Sequence, residues 1–195
     1  MPFHRLCVFC GSNVGTRPVY PDAAEQLGAL LVERGIELVY GGGNIGLMGV
    51  LADTVLARGG RAIGVIPESL MAKEVGHTGL TELRIVNSMH ERKAVMSDLS
   101  DGFIALPGGF GTFEEFCVVV TWSQLGLQSK PCGLLNVENY FAPLLELFDH
   151  AVREGFLHEE NRRLVLDNDD PSRLLEKMAE FRPQPVAQWI GREAR

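Results

Sequence analysis

The sequence predicts an α/β fold: a doubly wound, Rossmann-like parallel sheet with helices on both faces. Two observations support this prediction. Short apolar runs typical of strands alternate with longer amphipathic runs typical of helices, and the apolar runs are continuous. Continuous apolar strands indicate a parallel sheet that is covered on both faces. Because crossovers between parallel strands are right-handed, the sheet is expected to be doubly wound. Ligands of such sheets bind beyond the carboxyl ends of the strands.

The first part of the chain contains three predicted strands and two predicted helices. Residues 5–10 form a predicted strand, and a glycine follows it. Residues 21–34 and 47–58 are predicted helices, because their apolar residues recur at helical spacing and a glycine follows each. The apolar runs 37–40 and 61–66 are strands, and the second of these is expected to stop at the following proline.

The second part of the chain continues the alternation after an irregular segment, 68–81. Three further strands are predicted, at 82–86, 102–106 and 132–137. Four helices are predicted, at 89–99, 112–125, 140–154 and 171–181, the last with a proline in its first turn. We expect one domain over residues 1–181 and a loose or partner-packed tail over 182–195.

The composition limits the classes of partner. The chain has 195 residues and a net charge of −7, which argues against a surface that coats nucleic acid. No apolar run approaches the ~20 residues that span a bilayer, so no membrane partner is expected. The amino-terminal residues lack the pattern of a secretory signal, and we therefore expect a cytoplasmic protein.

The cysteines and histidines do not indicate a metal site. The four cysteines are Cys7, Cys10, Cys117 and Cys132. Cys7 and Cys10 lie three residues apart on a predicted strand and should face opposite sides, so we interpret the cysteines as buried, reduced thiols. The five histidines are scattered, and no metal or other cofactor is expected.

The most informative segment is Leu106-Pro-Gly-Gly-Phe-Gly-Thr-Phe-Glu-Glu-Phe116. Its glycines let the backbone approach a phosphate, and Thr112 is predicted to open a helix whose positive end attracts an anion. Glu114 and Glu115 are expected in the first helical turn. They point about 100° apart, so only one of them faces the crevice squarely. The other is expected only to stabilise the helix end.

Three glycine-rich turns lie at predicted strand ends and are expected to converge on one crevice: Gly11-Ser12, Gly41–Gly46 and Gly108–Gly111. Gly41-Gly-Gly-Asn-Ile-Gly46 has the spacing of a dinucleotide-binding turn, but it follows the second strand, and the alternative is a tight turn that lines another pocket. Arg92 and Lys93 begin a helix, and Arg92 can place two N–H groups on phosphate or ribose oxygens. The alternative for this pair is a solvated basic surface.

These motifs together resemble the Lonely Guy (LOG) family of cytokinin-activating phosphoribohydrolases. The resemblance covers roughly residues 5 to 180. The matching segments are Pro107-Gly-Gly-Phe-Gly-Thr-Phe-Glu-Glu115 in the family's P-G-G-x-G-T-x-x-E pattern, Met89-x-x-Arg92-Lys93, Gly41-Gly-Gly-x-x-Gly46-Leu-Met-Gly49, Cys10-Gly-Ser12, Thr121-Trp122-x-Gln124-Leu-Gly126 and Lys130-Pro-x-Gly133-Leu-Leu-Asn136.

The resemblance implies hydrolysis of the N-glycosidic bond of cytokinin riboside 5′-monophosphates, with AMP as a further ligand or slow substrate. It implies a homodimer and assigns Arg92 and Glu115 as catalytic residues. The substrate-binding residues that it implies are Glu74, Arg92, Lys93, Gly109, Phe110, Gly111, Thr112, Phe113, Glu114, Glu115 and Thr121. Position alone assigns no function to Glu74, which lies in the irregular segment.

Two alternatives remain open from the sequence. The first is a nucleotide-binding or sensor protein without turnover, and the presence of both Arg92 and Glu115 argues against it. The second is an amino-acid decarboxylase, because many relatives of this family carry the label "lysine decarboxylase-like". That chemistry needs pyridoxal phosphate on a lysine, within a much larger fold.

Overall fold

A computed structural model of the chain describes residues 3–71 and 76–182. The strands in chain order are β1 (Arg5–Phe9), β2 (Glu37–Tyr40), β3 (Ala62–Pro67), β4 (Glu82–Val86), β5 (Gly102–Ala105), β6 (Cys132–Leu135) and β7 (Val165–Asn168). The helices are α1 (Val19–Glu33), α2 (Gly46–Ala57), α3 (Met89–Leu99), α4 (Phe110–Gln124), α5 (Ala142–Arg153), α6 (Glu159–Arg162) and α7 (Pro171–Glu180). The predicted substrate residue Glu74 and residues 183–195 of the predicted tail lie outside the described residues.

The strands form one sheet with the order β4-β3-β2-β1-β5-β6-β7, and every pairing within it is parallel. Leu6 of β1 lies opposite Leu38 of β2 on one side and Gly102 of β5 on the other. The chain therefore winds outward in both directions from β1, and the predicted doubly wound fold is confirmed. The topological switch point lies between β1 and β5, where ligands of such sheets bind.

Two hydrophobic cores cover the two faces of the sheet. One core includes Leu27 of α1, Leu51 of α2 and Leu174 of α7. The other includes Met96 of α3 and Phe116 of α4. Continuous apolar strands bury side chains on both faces, which is why these strands do not alternate apolar and polar residues. None of the helices in the described part of the chain is long and apolar enough to cross a bilayer.

The cysteines are free, as the sequence predicts. Cys7 and Cys10 belong to opposite cores, Cys132 is buried and Cys117 is half-buried. Burial raises the pKa of the Cys7 and Cys10 thiols, and it raises the pKa of Cys132 to about 12. These thiols therefore stay protonated at neutral pH.

Several predicted bounds agree with the structure, and others differ. The strands at 37–40 and 82–86 and the helix at 89–99 have the predicted bounds. Pro67 was expected to stop the third strand, but it is the last residue of β3, opposite Val86. β2 ends opposite Gly64, so only β4 lies beside Pro67. No hydrogen bond from position 67 to β2 is needed, and a proline, which has no N–H, is tolerated there. β7 and α6 lie in a segment for which no element was predicted.

An ion-pair cluster ties the amino ends of the central strands together. The Nε atoms of Arg5 and Arg61 each lie 2.7 Å from a carboxylate oxygen of Glu37. The hydrogen bond from Arg5 is the main cause that holds the pKa of Glu37 below its usual value, and Arg61 adds to the effect. The Glu37 charge thus links the beginnings of β1 and β2 with the residue that precedes β3.

We expect Glu37→Gln to lower the free energy of unfolding at pH 7 by about 0.5 to 1 kcal/mol, because the pairs are partly exposed. The pKa is depressed in the folded state, so the stabilisation exists above the unfolded glutamate's pKa of about 4.3 and disappears as the pH falls through the lower folded value. Urea unfolding at pH 7 and at roughly pH 3 measures this. The control is Glu146→Gln, at an exposed position of α5. If Glu37→Gln lowered the free energy of unfolding by the same amount at both pH values, the prediction would be wrong.

Candidate functional site

The three glycine-rich segments meet at the carboxyl edge of the sheet. The Gly11 N–H donates to the Pro107 carbonyl at 3.0 Å, and the Leu47 N–H donates to the Gly11 carbonyl at 3.0 Å. A Cβ atom on Gly46 would lie 2.2 Å from the carbonyl carbon of Ser12. The loops after β1, β2 and β5 are therefore in direct backbone contact, and their predicted convergence is confirmed.

The amino-terminal end of α4 opens into this crevice. Gly109 is its N-cap, and the first intrahelical hydrogen bond runs from the Phe113 N–H to the Gly109 carbonyl at 3.1 Å. The N–H groups of Phe110, Gly111 and Thr112 therefore have no acceptor within the helix. A Cβ atom on Gly109 or Gly111 would meet nothing within 4 Å. The positive helix end thus has open space around its backbone, as anion binding requires.

Thr112 packs beneath the loop instead of opening the helix. The residue is 3% exposed, and a Cβ atom on Gly108 would lie 2.1 Å from its Oγ1 atom. Since α4 begins two residues earlier than predicted, Glu114 and Glu115 lie in its second turn. The predicted first-turn position of both glutamates is therefore wrong. So is the predicted role of Glu114 at the helix end, because the helix dipole acts mainly within the first turn.

Glu114 instead forms an ion pair with Lys93. The Lys93 Nζ atom donates to the Glu114 Oε1 atom, which links α3 to α4. The Lys93 side chain is 10% exposed and that of Glu114 is 50% exposed. The pair therefore stands at the rim of the crevice, with Glu114 on the solvent side.

A buried ion pair between Arg92 and Glu115 lies deeper in the crevice. The Arg92 Nη2 atom is 3.9 Å from the Glu115 Oε1 atom, and the side chains are 5% and 12% exposed. The same nitrogen donates to the Gly41 carbonyl at 3.2 Å. Burial is the main cause that raises the pKa of Cys10, and the charge of Glu115 is the second cause. The Glu115 carboxylate therefore lies near the end of β1. The alternative of a solvated basic surface is wrong for Arg92.

The start of α3 determines where Arg92 lies. The Ser88 hydroxyl caps the helix by accepting from the Glu91 N–H at 3.1 Å, and the Glu91 carboxylate accepts from the Asn87 N–H at 2.8 Å. The Arg92 N–H then donates to the Ser88 carbonyl at 3.0 Å. These two hydrogen bonds begin α3 shortly after β4, so Arg92 stays at the carboxyl edge of the sheet.

The Gly41–Gly46 segment makes room for Arg92. A Cβ atom on Gly41 would lie 2.0 Å from the Arg92 Nη2 atom, and Gly42 has a φ of +77°. A side chain at position 41 would therefore displace the Arg92 guanidinium from its place beside the Gly41 carbonyl. This favours the interpretation of the segment as a tight turn that lines another pocket, rather than as a dinucleotide-binding turn.

His77 holds this glycine segment and is itself paired with Asp53, and the sequence indicates no role for either residue. His77 is 7% exposed, and its Nε2 atom lies 2.9 Å from Asp53 Oδ1 on α2. Its Nδ1 atom accepts from the Gly79 N–H at 3.1 Å, which assigns the proton to Nε2. The His77 N–H donates to the Gly42 carbonyl at 3.0 Å. No motif or spacing in the sequence connects these residues.

An aromatic cleft lies beside Gly108 at the switch point. The cleft has a volume of about 290 Å³, and the residues that line it include Tyr20, Tyr140 and residues 11–15. The two rings meet edge to face at 5.9 Å between centroids. Tyr20 is thus a packing residue.

The other predicted substrate residues have different surroundings. Phe110 is 92% exposed beside the helix end, whereas Phe113 packs edge to face on Phe141 at 6.4 Å between centroids. Thr121 donates its hydroxyl to the Cys117 carbonyl one turn earlier in α4. It lies about 9 Å along the helix axis from Glu115, so the chain does not bring Thr121 to the buried pair. Within residues 3–71 and 76–182, no three His, Cys, Asp or Glu residues are grouped to hold a metal ion.

The fold and the site define an α/β protein with an anion-accepting helix end beside a buried arginine–glutamate pair. A protein-family model described as "Possible lysine decarboxylase" matches residues 48–178. The "Probable cytokinin riboside 5'-monophosphate phosphoribohydrolase LOGL1" of Oryza sativa subsp. japonica is 54% identical over 92% of this chain and 80% of its own length. The chain belongs to this family, the Lonely Guy (LOG) family.

Two further comparisons extend this result. The "Cytokinin riboside 5'-monophosphate phosphoribohydrolase LOG1" of Arabidopsis thaliana is 48% identical over 93% of this chain and 85% of its own length. Among solved structures, the molybdenum cofactor binding protein of Rippkaea orientalis has a TM-score of 0.67 at 22% identity, over 92% of this chain and 98% of that protein. At that identity the likeness concerns the fold alone.

We expect Gly41→Ala to lower the free energy of unfolding by about 1 to 3 kcal/mol, because the new methyl group would overlap the buried Arg92 side chain. The matched control is the same substitution in an Arg92→Ala background, where the overlap is gone and the loss should fall to less than half. Urea unfolding of all four proteins gives this double-mutant cycle. The same loss of stability in both backgrounds would contradict the conclusion that a methyl group at position 41 overlaps Arg92.

Proposed function

We propose that this chain hydrolyses the N-glycosidic bond of cytokinin riboside 5′-monophosphates, with AMP as a further candidate substrate. The products are the free base and ribose 5-phosphate. The observation that carries the proposal is the buried Arg92–Glu115 pair beside the open helix end, in a chain that is 54% identical to a probable enzyme of this activity.

The helix end supplies the phosphate site in this proposal. The N–H groups of Phe110, Gly111 and Thr112 lack helical acceptors, and the glycines leave their surroundings open. Lys93 adds a positive charge at the rim, where it faces Glu114. An anion gains both the backbone N–H groups and the helix dipole at such a position. A 5′-phosphate bound there would hold one end of the nucleotide.

Glu115 is the proposed catalytic carboxylate. Cleavage of an N-glycosidic bond builds positive charge at the anomeric carbon, C1′, and a nearby carboxylate stabilises that charge. The same carboxylate can orient or deprotonate the attacking water. Glu115 suits this role because it is 12% exposed and its position is held by Arg92. Water competes little for a carboxylate in such surroundings, so its effect on the developing charge is larger than at the surface.

Arg92 has two proposed roles. Its guanidinium contacts both the Gly41 carbonyl and Glu115, and this holds the carboxylate in one place. A guanidinium also carries N–H groups in several directions, so Arg92 can contact the ribose 5-phosphate while it keeps these contacts. We therefore propose that Arg92 orients the catalytic glutamate and binds the substrate.

The decarboxylase alternative finds no support among the described lysines. Lys93 donates to Glu114, Lys130 to the Ser97 carbonyl and Lys177 to the Asp167 carbonyl. A lysine that forms a Schiff base instead presents its amine to the bound cofactor.

Further parts of the proposal rest on the family and the sequence. We propose a cytoplasmic homodimer with one domain over residues 1–181, and neither a nucleic-acid nor a membrane partner. Half-buried apolar residues of α4, such as Val118 and Trp122, offer a surface that a second subunit can cover. Glu74 and Thr121 remain proposed substrate contacts.

The test of the function is incubation with isopentenyladenosine monophosphate, followed by chromatography for free base. We expect the unchanged protein to release base and Glu115→Gln to be slower by about 100-fold or more, because the amide cannot stabilise charge or accept a proton. AMP binding should be nearly unchanged in this variant.

The matched control is the neighbouring substitution Glu114→Gln. It breaks the rim pair with Lys93 and should keep the rate of base release within a few-fold, roughly the effect of a partly exposed ion pair. Retained turnover in Glu115→Gln would overturn the role of Glu115. Binding of the nucleotide without any release of base by the unchanged protein would favour the nucleotide-binding or sensor alternative.

We expect Arg92→Ala to weaken AMP binding and to slow base release, since one side chain serves both the substrate and Glu115. Titration calorimetry with AMP and the chromatographic assay measure the two effects separately. Arg92→Lys serves as the comparison, because it keeps the charge but loses the forked N–H groups. A rate equal to that of the unchanged protein in Arg92→Ala would exclude the proposed catalytic role.

A further inference from the structure

Tyr140 holds one peptide group of the proposed phosphate loop. Its hydroxyl donates to the Gly108 carbonyl at 2.5 Å. Gly108 lies directly before Gly109, the N-cap of α4, whereas Tyr140 lies in the connection between β6 and α5. This hydrogen bond therefore ties the loop to a separate part of the chain.

The Gly108 carbonyl and the Gly109 N–H belong to the same peptide unit. The described residues contain no cis peptide bond, and in a trans peptide the C=O and N–H point in opposite directions. A partner that holds the carbonyl on one side therefore directs the Gly109 N–H to the other side. The position is not crowded, since a Cβ atom added to Gly109 would meet nothing within 4 Å.

This peptide needs an external partner to keep its orientation. It lies between two glycines, which permit rotation of the peptide at little steric cost. Packing restrains the Gly108 Cα atom, since an added Cβ atom would lie 2.8 Å from the Gly11 nitrogen and 2.1 Å from Thr112 Oγ1. The carbonyl itself is oriented by the Tyr140 hydroxyl.

The Tyr140 ring is held by its neighbours. Its centroid lies 5.9 Å from that of Tyr20 and 5.1 Å from that of Phe141, edge to face in both cases. The Phe141 N–H donates to the Asn136 Oδ1 atom at 2.8 Å. The aromatic contacts do not involve the hydroxyl, so a phenylalanine at position 140 would keep them.

The backbone before Tyr140 has an unusual conformation. Glu138 and Asn139 have φ values of +49° and +61°, in the left-handed region that residues other than glycine seldom adopt. Arg17 pairs with the Glu138 carboxylate at 2.8 Å and lies over the Tyr20 ring. A conformation of this kind persists only where surrounding contacts hold it. Here it brings Tyr140 to Gly108.

We propose that Tyr140 is a positioning residue for the 5′-phosphate of the substrate. Its hydroxyl keeps the Gly108–Gly109 peptide in the orientation that adds the Gly109 N–H to the anion site at the start of α4. The inference rests on the proposed function, in which this loop binds a phosphate. It requires that Tyr140 affects affinity for the phosphate and has no effect on the chemical step at C1′.

The test compares Tyr140→Phe with the unchanged protein by titration calorimetry. The probes are ribose 5-phosphate, AMP and adenosine, which lacks the phosphate. We expect the dissociation constants of the two phosphorylated probes to rise roughly three- to tenfold, as for the loss of one hydrogen bond, and that of adenosine to stay the same. In the chromatographic assay KM should rise by the same factor and kcat should stay unchanged.

The matched control is Tyr20→Phe, which removes a hydroxyl from the other ring of the pair and leaves the bond to Gly108. It should change none of these quantities. The unfolding midpoint of each variant reports whether the fold is kept. An unchanged affinity of Tyr140→Phe for ribose 5-phosphate, or an equal loss of affinity for adenosine, would overturn the inference.

The proposed function and this inference can fail separately. If the unchanged protein binds ribose 5-phosphate but releases no base, the proposed function fails, while a weaker affinity in Tyr140→Phe still supports the positioning role. If base is released and the affinity for ribose 5-phosphate does not depend on the hydroxyl, the function stands and the inference fails. An unchanged protein that does not bind ribose 5-phosphate would also overturn the inference.

Discussion

The burial of the Arg92 guanidinium is the constraint on which the rest of the site depends. A charge that is removed from water is stable only beside groups that replace the lost solvation. Here those groups are the Gly41 carbonyl and the Glu115 carboxylate. The need for them explains a residue without a side chain at position 41 and brings the glutamate of α4 against α3. One interaction thus joins the loop after β2 to the helices that follow β4 and β5.

The switch point of the sheet gives the two sides of the phosphate loop different surroundings. On one side lie the N–H groups at the start of α4, where a Cβ atom added to Gly109 or Gly111 would meet nothing within 4 Å. On the other side the Gly108 carbonyl meets the Tyr140 hydroxyl and the aromatic cleft. Since a peptide group presents its donor and its acceptor in opposite directions, a single loop can accept an anion on one side and be held by the protein on the other.

The sequence predicts the elements whose signals are local. The apolar run at 37–40 predicts a strand and the segment at 89–99 predicts a helix, and the bounds of both agree with the structure. β7 has no such pattern, because only two of its four residues are apolar and its pairing with β6 decides its conformation. The sequence predicts the start of α4 at Thr112, two residues later than in the structure. Glycine is a poor helix former, so Phe110 and Gly111 did not indicate a helix.

The sequence by itself determined the order of the strands and helices apart from α6 and β7, the position of the glycine turns at the ends of strands, and the residue types that meet there. It also determined that Glu114 and Glu115 point in different directions, since adjacent helical residues are about 100° apart. Only the tertiary structure decided which cation each one meets: Lys93 at the rim for Glu114 and buried Arg92 for Glu115. That choice depends on how α4 is rotated against α3, and the packing of both helices on the sheet sets this rotation. The contacts of His77 with Asp53 and of Tyr140 with Gly108 were decided in the same way, because they join segments that have no local relation in the chain.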